Sequence, residues 1–125
     1  KDMQQLKIIE HFVKKNHIET KVVGCKTIRE KNGMAYSSRN TLLSHDEKII
    51  ASKIYKLLIK NKKKLIRKYI SLNQIKNEIS KLGVKKIDYI NILDINKLIK
   101  PYQKNNNYKI FIAYYLRSTR LIDNI

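Results

Sequence analysis

Apolar residues recur along this chain with two different periods, and the change of period divides it. In residues 3–16, Leu6, Ile9 and Val13 fall at helical spacing, with Ile8 and Phe12 widening the stripe. The pattern predicts an amphipathic helix that Asn16 and His17 end. In residues 20–25 (TKVVGC), Val22 and Val23 stand side by side, which predicts a short buried strand. Residues 26–40 show little periodicity and hold Asn32-Gly33, a turn signal. A second helix is predicted from Ser44, where Ser44 and Glu47 match the S-x-x-E capping box. Ile50, Ile54, Leu57 and Leu58 form its stripe, and Asn61 with the run Lys62-Lys63-Lys64 is expected to end or break it. A second box, Ser71 with Gln74, starts another helix. Ile75, Ile79 and Leu82 face its core side, and Gly83 stands at the C′ position.

Beyond Gly83 the period falls to two. Ile87, Tyr89 and Asn91 alternate with Asp88, Ile90 and Ile92, predicting a strand over 86–93. Pro101 and the polar run 104–107 read as a loop, and Tyr108–Leu116 (YKIFIAYYL) is strongly strand-like. Arg117 to Thr119 can turn, and residues 120–124 (RLIDN) can return as a third strand. Helices followed by a hairpin imply an α+β fold, with a small antiparallel sheet of about three strands packed with helices.

Composition bounds what such a unit can be. The 125 residues, 42% of them hydrophobic, suit one domain, or one domain with a fragment of another. No apolar run approaches the roughly 20 residues that span a membrane, no signal peptide is visible, and the first residue is Lys1 rather than Met, as in a sequence taken from within a longer protein. A lone cysteine, Cys25, builds no disulfide framework, which suits a reducing cytosol; at the end of the predicted strand it is expected to be a small core residue. His11, His17 and His45 form no HxH or HExxH pattern and are assigned structural or surface roles, so no metal set is expected here. The net charge of +18 and pI of about 10.0 invite a polyanion such as RNA. However, Lys, Asn and Ile are all favoured by A+T-rich coding, the basic residues are scattered, and no aromatic interleaves with the lysine run. That weighs against nucleic acid and leaves nucleotide phosphates as a smaller anionic partner.

Two places could carry chemistry. Lys1, Asp2 and Gln5 open the first helix, with Asp2 and Gln5 on one face. They are either an ordinary cap or a cation, a carboxylate and an amide placed for phosphate, ribose and a polar substrate. The stretch GMAYSSRN, residues 33–40, sets Ser37, Ser38 and Arg39 in a row behind a glycine. Hydroxyl donors beside a planar guanidinium suit a phosphate chain; a serine-rich surface turn accounts for the same residues.

The same residues carry a family resemblance. The opening KDMQQLKIIEHFV is similar to the KDxQQ helix of the pantothenate synthetases (pantoate–β-alanine ligases). TIREKNGMAYSSRNTLLSHDE resembles their TxREx(D/N)GLAMSSRNxYLSxxE segment, and DYINILD and RLIDNI resemble their closing strands. The likeness runs from the first residue to the last, and the SSRN segment with the LIDN ending is highly specific as a pair. It implies a ligase that joins pantoate to β-alanine with ATP and Mg²⁺ through a pantoyl adenylate, releasing pyrophosphate and then AMP. The SSR motif is that family's version of the KMSKS loop of class I aminoacyl-tRNA synthetases. By the resemblance, Lys1, Ser37, Ser38 and Arg39 meet the phosphates, Asp2 the ribose, the Ile28 backbone the adenine and Gln5 the pantoate, with Tyr36 beside the nucleotide. Residues 1–25 would be the end of a Rossmann-like nucleotide-binding domain, contributing a helix and a strand, and 26–125 a C-terminal lid. The implied whole is a cytoplasmic homodimer whose N-terminal domain is this chain's partner.

Departures accompany the likeness. Tyr36 stands where the family has Met, and Lys26 where it has Pro. The family's MGxLHxGH motif, whose histidines stabilise adenylation, is not in this sequence. A piece of this kind is expected to be inactive alone, with residues 1–24 poorly packed for want of their sheet. The alternative of another class is a stand-alone basic nucleic-acid-binding module.

Overall fold

The computed structural model describes residues 1–95 and 107–125. Helix α1 covers Met3–Lys15, a short 3-10 turn Ser38–Leu42, α2 His45–Ile66 and α3 Leu72–Lys81; strands β1, β2 and β3 cover Lys86–Asp94, Tyr108–Leu116 and Thr119–Asn124. The strands form one antiparallel sheet in the order β1-β2-β3. The α+β architecture predicted from the change of period is the one observed. The loop predicted over Pro101 and 104–107 lies outside the described residues apart from Asn107, whose carbonyl accepts from the Ile95 N–H at 2.9 Å.

The core lies between one face of the sheet and helices α2 and α3. Ile110, Ile112, Tyr114 and Leu116 of β2 alternate towards Ile54, Leu58 and Leu65 of α2 and Ile75 and Ile79 of α3. Alternation along β1 is interrupted by a bulge between Ile87 and Tyr89. The extra residue lets Ile87 pack on the core beside Ile90 and Ile92, although their spacing from it is odd.

Local signals set the helix starts. Both capping boxes form: Ser44 accepts from the Glu47 N–H while Glu47 accepts from that of Ser44, and Ser71 does the same with Gln74. Gly83 follows α3 with φ 96°, the left-handed geometry expected at C′.

Two expectations fail, both for lack of tertiary information. The lysine run neither ends nor breaks α2, which continues to Ile66. Lysine is a good helix former, and Leu65, 3% exposed, anchors the last turn from the core side. The predicted strand at 20–25 is not formed: those residues carry no regular structure, Val23 is 68% exposed, and Cys25 is an exposed free thiol, not a core residue. A β-branched pair is a strand only where a neighbouring strand takes its backbone bonds, and no strand pairs with it among the described residues. Helix α1 forms as predicted, with Asn16 at its C-cap, yet none of its residues is buried.

Candidate phosphate-binding cleft

The loop of residues 26–40 owes its shape to a few specific bonds. Arg29 and Ala35 face each other as an isolated antiparallel bridge, closed by Glu30 N–H to Met34 O and Gly33 N–H to Glu30 O, each at 2.8 Å. Gly33 adopts φ 93°, and a Cβ there would fall 2.2 Å from the ring of Tyr55. The Ser52 hydroxyl donates to Asn32 O at 2.8 Å, tying the turn to α2.

Arg29 fastens this loop to the C-terminal strand. Its guanidinium forks onto both carboxylate oxygens of Asp123 at 2.7 and 2.9 Å. It also donates to Gly33 O at 3.0 Å and Asn124 O at 3.1 Å, and lies 4.4 Å over the Tyr55 ring. Burial alone would lower the Arg29 pKa; the hydrogen bonds and charge of Asp123 outweigh it and hold it above its ordinary value. Asn124 extends the knot, accepting from Lys109 Nζ at 2.8 Å and donating to the Lys1 carbonyl, so the start of α1 rests on the end of β3.

Ser37 opens the 3-10 turn, its hydroxyl oxygen accepting from the Arg39 N–H at 3.3 Å. Ser38 and Arg39 are exposed, and the buried Asn40 closes the turn through its N–H to Ser37 O at 3.0 Å. The side-chain amide of Asn40 donates to Glu30 Oε1 at 2.7 Å and to Ala35 O at 3.1 Å. A cleft opens beside the turn, lined by Lys1, Ser37, Asn40, Tyr55, Tyr114 and Asp123 over an apolar floor. Burial first, and then the charge of Arg39, lower the Lys1 pKa, with Asp123 and Asp2 opposing. Lys109 is lowered likewise by burial, Lys62 and Arg29. Burial and Asp123 push the Tyr114 phenol above its ordinary value, so it stays protonated and able to donate.

The structure thus unites part of the predicted set. Lys1 and Ser37 share one cleft, and Arg39 stands close enough for its charge to act on Lys1. Ser38 faces outward on the same turn. Asp2 and Gln5 occupy the exposed start of α1, where Asp2 caps the helix by accepting from the Gln5 N–H at 3.1 Å. Ile28 and Tyr36 meet through the Tyr36 N–H to Ile28 O bond at 3.0 Å, with both side chains exposed. Reasoning from sequence missed Arg29, Asn40, Tyr114 and Asp123 as builders of the site. Arg29 and Asp123 had a signal, since they belong to the two motif segments whose pairing was specific; Tyr114 had only its inward parity on β2. Around Asp123, whose charge Arg29 already matches, Lys1 and Lys109 add positive charge, and no carboxylate among the described residues is bonded to either. The arrangement can hold an anion against hydroxyl and ammonium donors.

Fold and site together define a small α+β unit with an electropositive cleft where its loop, first helix and last strand meet. The chain belongs to the pantoate–β-alanine ligase family: the family model described as Pantoate-beta-alanine ligase matches residues 1–125. It is 40% identical over 131 residues to pantothenate synthetase of Flavobacterium psychrophilum, aligning 100% of this chain with 46% of that protein. It is 38% identical to that of Clostridioides difficile, over 99% of this chain and 45% of the relative. Among solved structures, pantothenate synthetase from Thermus thermophilus superposes with a TM-score of 0.81 at 27% identity, covering 100% of this chain and 46% of that one. Pantoate-beta-alanine ligase from Francisella tularensis, complexed with beta-gamma ATP and beta-alanine, gives a TM-score of 0.71 at 35% identity, over 100% of this chain and 40% of that one. The chain therefore spans about half the length of the relatives it matches.

Proposed function

We propose that this chain is the phosphate-clamping C-terminal part of an ATP-dependent ligase that condenses pantoate with β-alanine. Residues 1–25 would be the end of its nucleotide-binding domain and 26–125 its lid. The observation that carries this is a cleft that Lys1 and Ser37 share, with the charge of Arg39 acting on Lys1, in a chain that matches the family from end to end. The Francisella tularensis neighbour, crystallised with beta-gamma ATP and beta-alanine, supports the substrate class.

In this role the pantoate carboxylate attacks the α-phosphate of ATP, pyrophosphate leaves, and the amine of β-alanine then displaces AMP. Lys1, Ser37, Ser38 and Arg39 donate to the phosphate oxygens and so stabilise the charge that grows on the leaving pyrophosphate. Asp2 keeps Oδ2 for the ribose hydroxyls while Oδ1 caps α1. Gln5 binds pantoate. The Ile28 backbone and Tyr36 flank the adenine; with the Ile28 carbonyl already accepting from Tyr36, its N–H and second lone pair do this work. Closure of the lid excludes water from the acyl adenylate. The exposed apolar side chains of α1, Ile8 and Phe12, pack on the remainder of the nucleotide-binding domain, which supplies the MGxLHxGH histidines. The fragment alone is then inactive, and the whole enzyme is a cytoplasmic homodimer. Among the described residues no three His, Cys, Asp or Glu side chains gather as metal ligands, and Arg29 occupies both oxygens of Asp123. These residues do not fit a Mg²⁺ site of their own.

Arg29, Lys1 and Lys109 gather about Asp123, a compact cluster that favours nucleotide phosphates over a nucleic-acid backbone. The test is Arg39→Ala in the full-length protein. Pantoate-dependent pyrophosphate release should fall at least about tenfold, roughly 1.4 kcal/mol of transition-state stabilisation. An unchanged rate removes Arg39 from the clamp.

A further inference from the structure

One buried polar atom of a cleft-lining residue, Asn40, has no partner among the described residues. Asn40 is 6% exposed, and its Oδ1 makes no hydrogen bond among the described residues. Its orientation is fixed, because the amide nitrogen faces two acceptors, Glu30 Oε1 and Ala35 O. A flipped amide would set its oxygen against both. A buried acceptor left empty is costly, so Oδ1 is expected to meet a donor when the site is occupied. A phosphate oxygen cannot serve, since it brings lone pairs and no proton. Among the described residues lining the cleft, Lys1 is the one cation, and no described residue accepts a hydrogen bond from its Nζ. The residue with the orphan acceptor and the residue with the unbonded ammonium therefore line one cleft.

We propose that Asn40 is a positioning residue for Lys1. Its Oδ1 takes one ammonium proton when a nucleotide is bound, aiming the two remaining protons at the phosphate chain. The proposal rests on the clamp role above and adds to it a residue that touches no substrate. Arg39 from the 3-10 turn, Asp123 from β3 and Asp2 beside it act on the Lys1 charge, and Glu30 holds Asn40 from behind. Losing the Asn40 acceptor disfavours the ammonium further, so Lys1 would lose its proton at a lower pH.

The experiment is a double-mutant cycle in the full-length enzyme with ATP as the varied substrate. Asn40→Ala should lower kcat/KM for ATP about tenfold and move the alkaline limb of its pH profile downward. In a Lys1→Ala background the same substitution should cost nothing more. Glu30→Ala, which frees the amide but keeps the acceptor, should leave the alkaline limb in place. Additive losses, or an unmoved limb in Asn40→Ala, overturn the proposal. Full activity in both Lys1→Ala and Arg39→Ala would instead sink the clamp itself. If Asn40→Ala fails to fold, a crystal structure of the unmodified enzyme with ATP decides: Lys1 Nζ at hydrogen-bonding distance from Asn40 Oδ1 supports the proposal, and any other donor there refutes it.

Discussion

Asp123→Ala should destabilise this chain more than any surface substitution, and the structure sets the size. The pair with Arg29 is bidentate and largely enclosed, the two side chains being 19% and 12% exposed. Removing one partner of a buried pair costs about 3–5 kcal/mol, because the other charge is left uncompensated. Arg29 would keep its bonds to Gly33 O and Asn124 O and its place over Tyr55, which puts the loss at the low end, about 3 kcal/mol. For a chain of this length that is a fall in Tm of roughly 10 °C. Urea unfolding with a shared slope gives the free energy directly. The physical claim is that the loss comes from the stranded guanidinium, not from a missing contact. Arg29→Ala combined with Asp123→Ala should therefore be no less stable than Asp123→Ala alone. A single variant within about 0.5 kcal/mol of the unmodified chain, or a double variant carrying the sum of both losses, would refute that reasoning.

Two further outcomes follow from the same loop and cleft. Gly33→Ala combines a positive φ with a Cβ 2.2 Å from the Tyr55 ring, so it should cost about 1–3 kcal/mol in denaturant unfolding; a cost below about 0.5 kcal/mol would show that Tyr55 and the turn yield freely. Tyr114 keeps its proton in the folded chain to higher pH than the roughly 10 of an unfolded tyrosine. Stability should then fall as pH rises through that value, because the unfolded state ionises first; Tyr114→Phe should flatten the decline in Tm between about pH 9 and 11, and an identical slope in both proteins would contradict the assignment.

What was legible in the sequence follows from the range of each signal. Ser44 with Glu47 and Ser71 with Gln74 act within one helical turn, so their boxes could be read directly. The β-branched and aromatic residues that make Tyr108–Leu116 strand-like are likewise a property of the segment itself. The length of α2 was not legible, because what sustains its last turn is Leu65 meeting the core, a contact no local window contains. The stretch at 20–25 misled for the opposite reason: its strand signal is local, but a strand is a relation between segments. The knot of Arg29 and Asp123 spans 94 residues of sequence, and no spacing rule reaches that far.

The distance between those two residues explains why the SSRN and LIDN segments were informative as a pair. TIRE supplies Arg29 and Glu30, the GMAYSSRN stretch supplies Asn40 and Ser37, and LIDN supplies Asp123 and Asn124; Arg29 bonds Asp123 and the Asn124 carbonyl, and Glu30 bonds Asn40. The departures from the family pattern fall elsewhere. Lys26 is exposed, and Tyr36, 61% exposed, is joined to Ile28 through its backbone N–H. Bulk at position 36 therefore leaves the loop's own geometry untouched and alters only the surface presented beside Ile28. If the adenine of a nucleotide lies there, Tyr36 changes what the base rests on without changing how Ser37 and Arg39 are aimed.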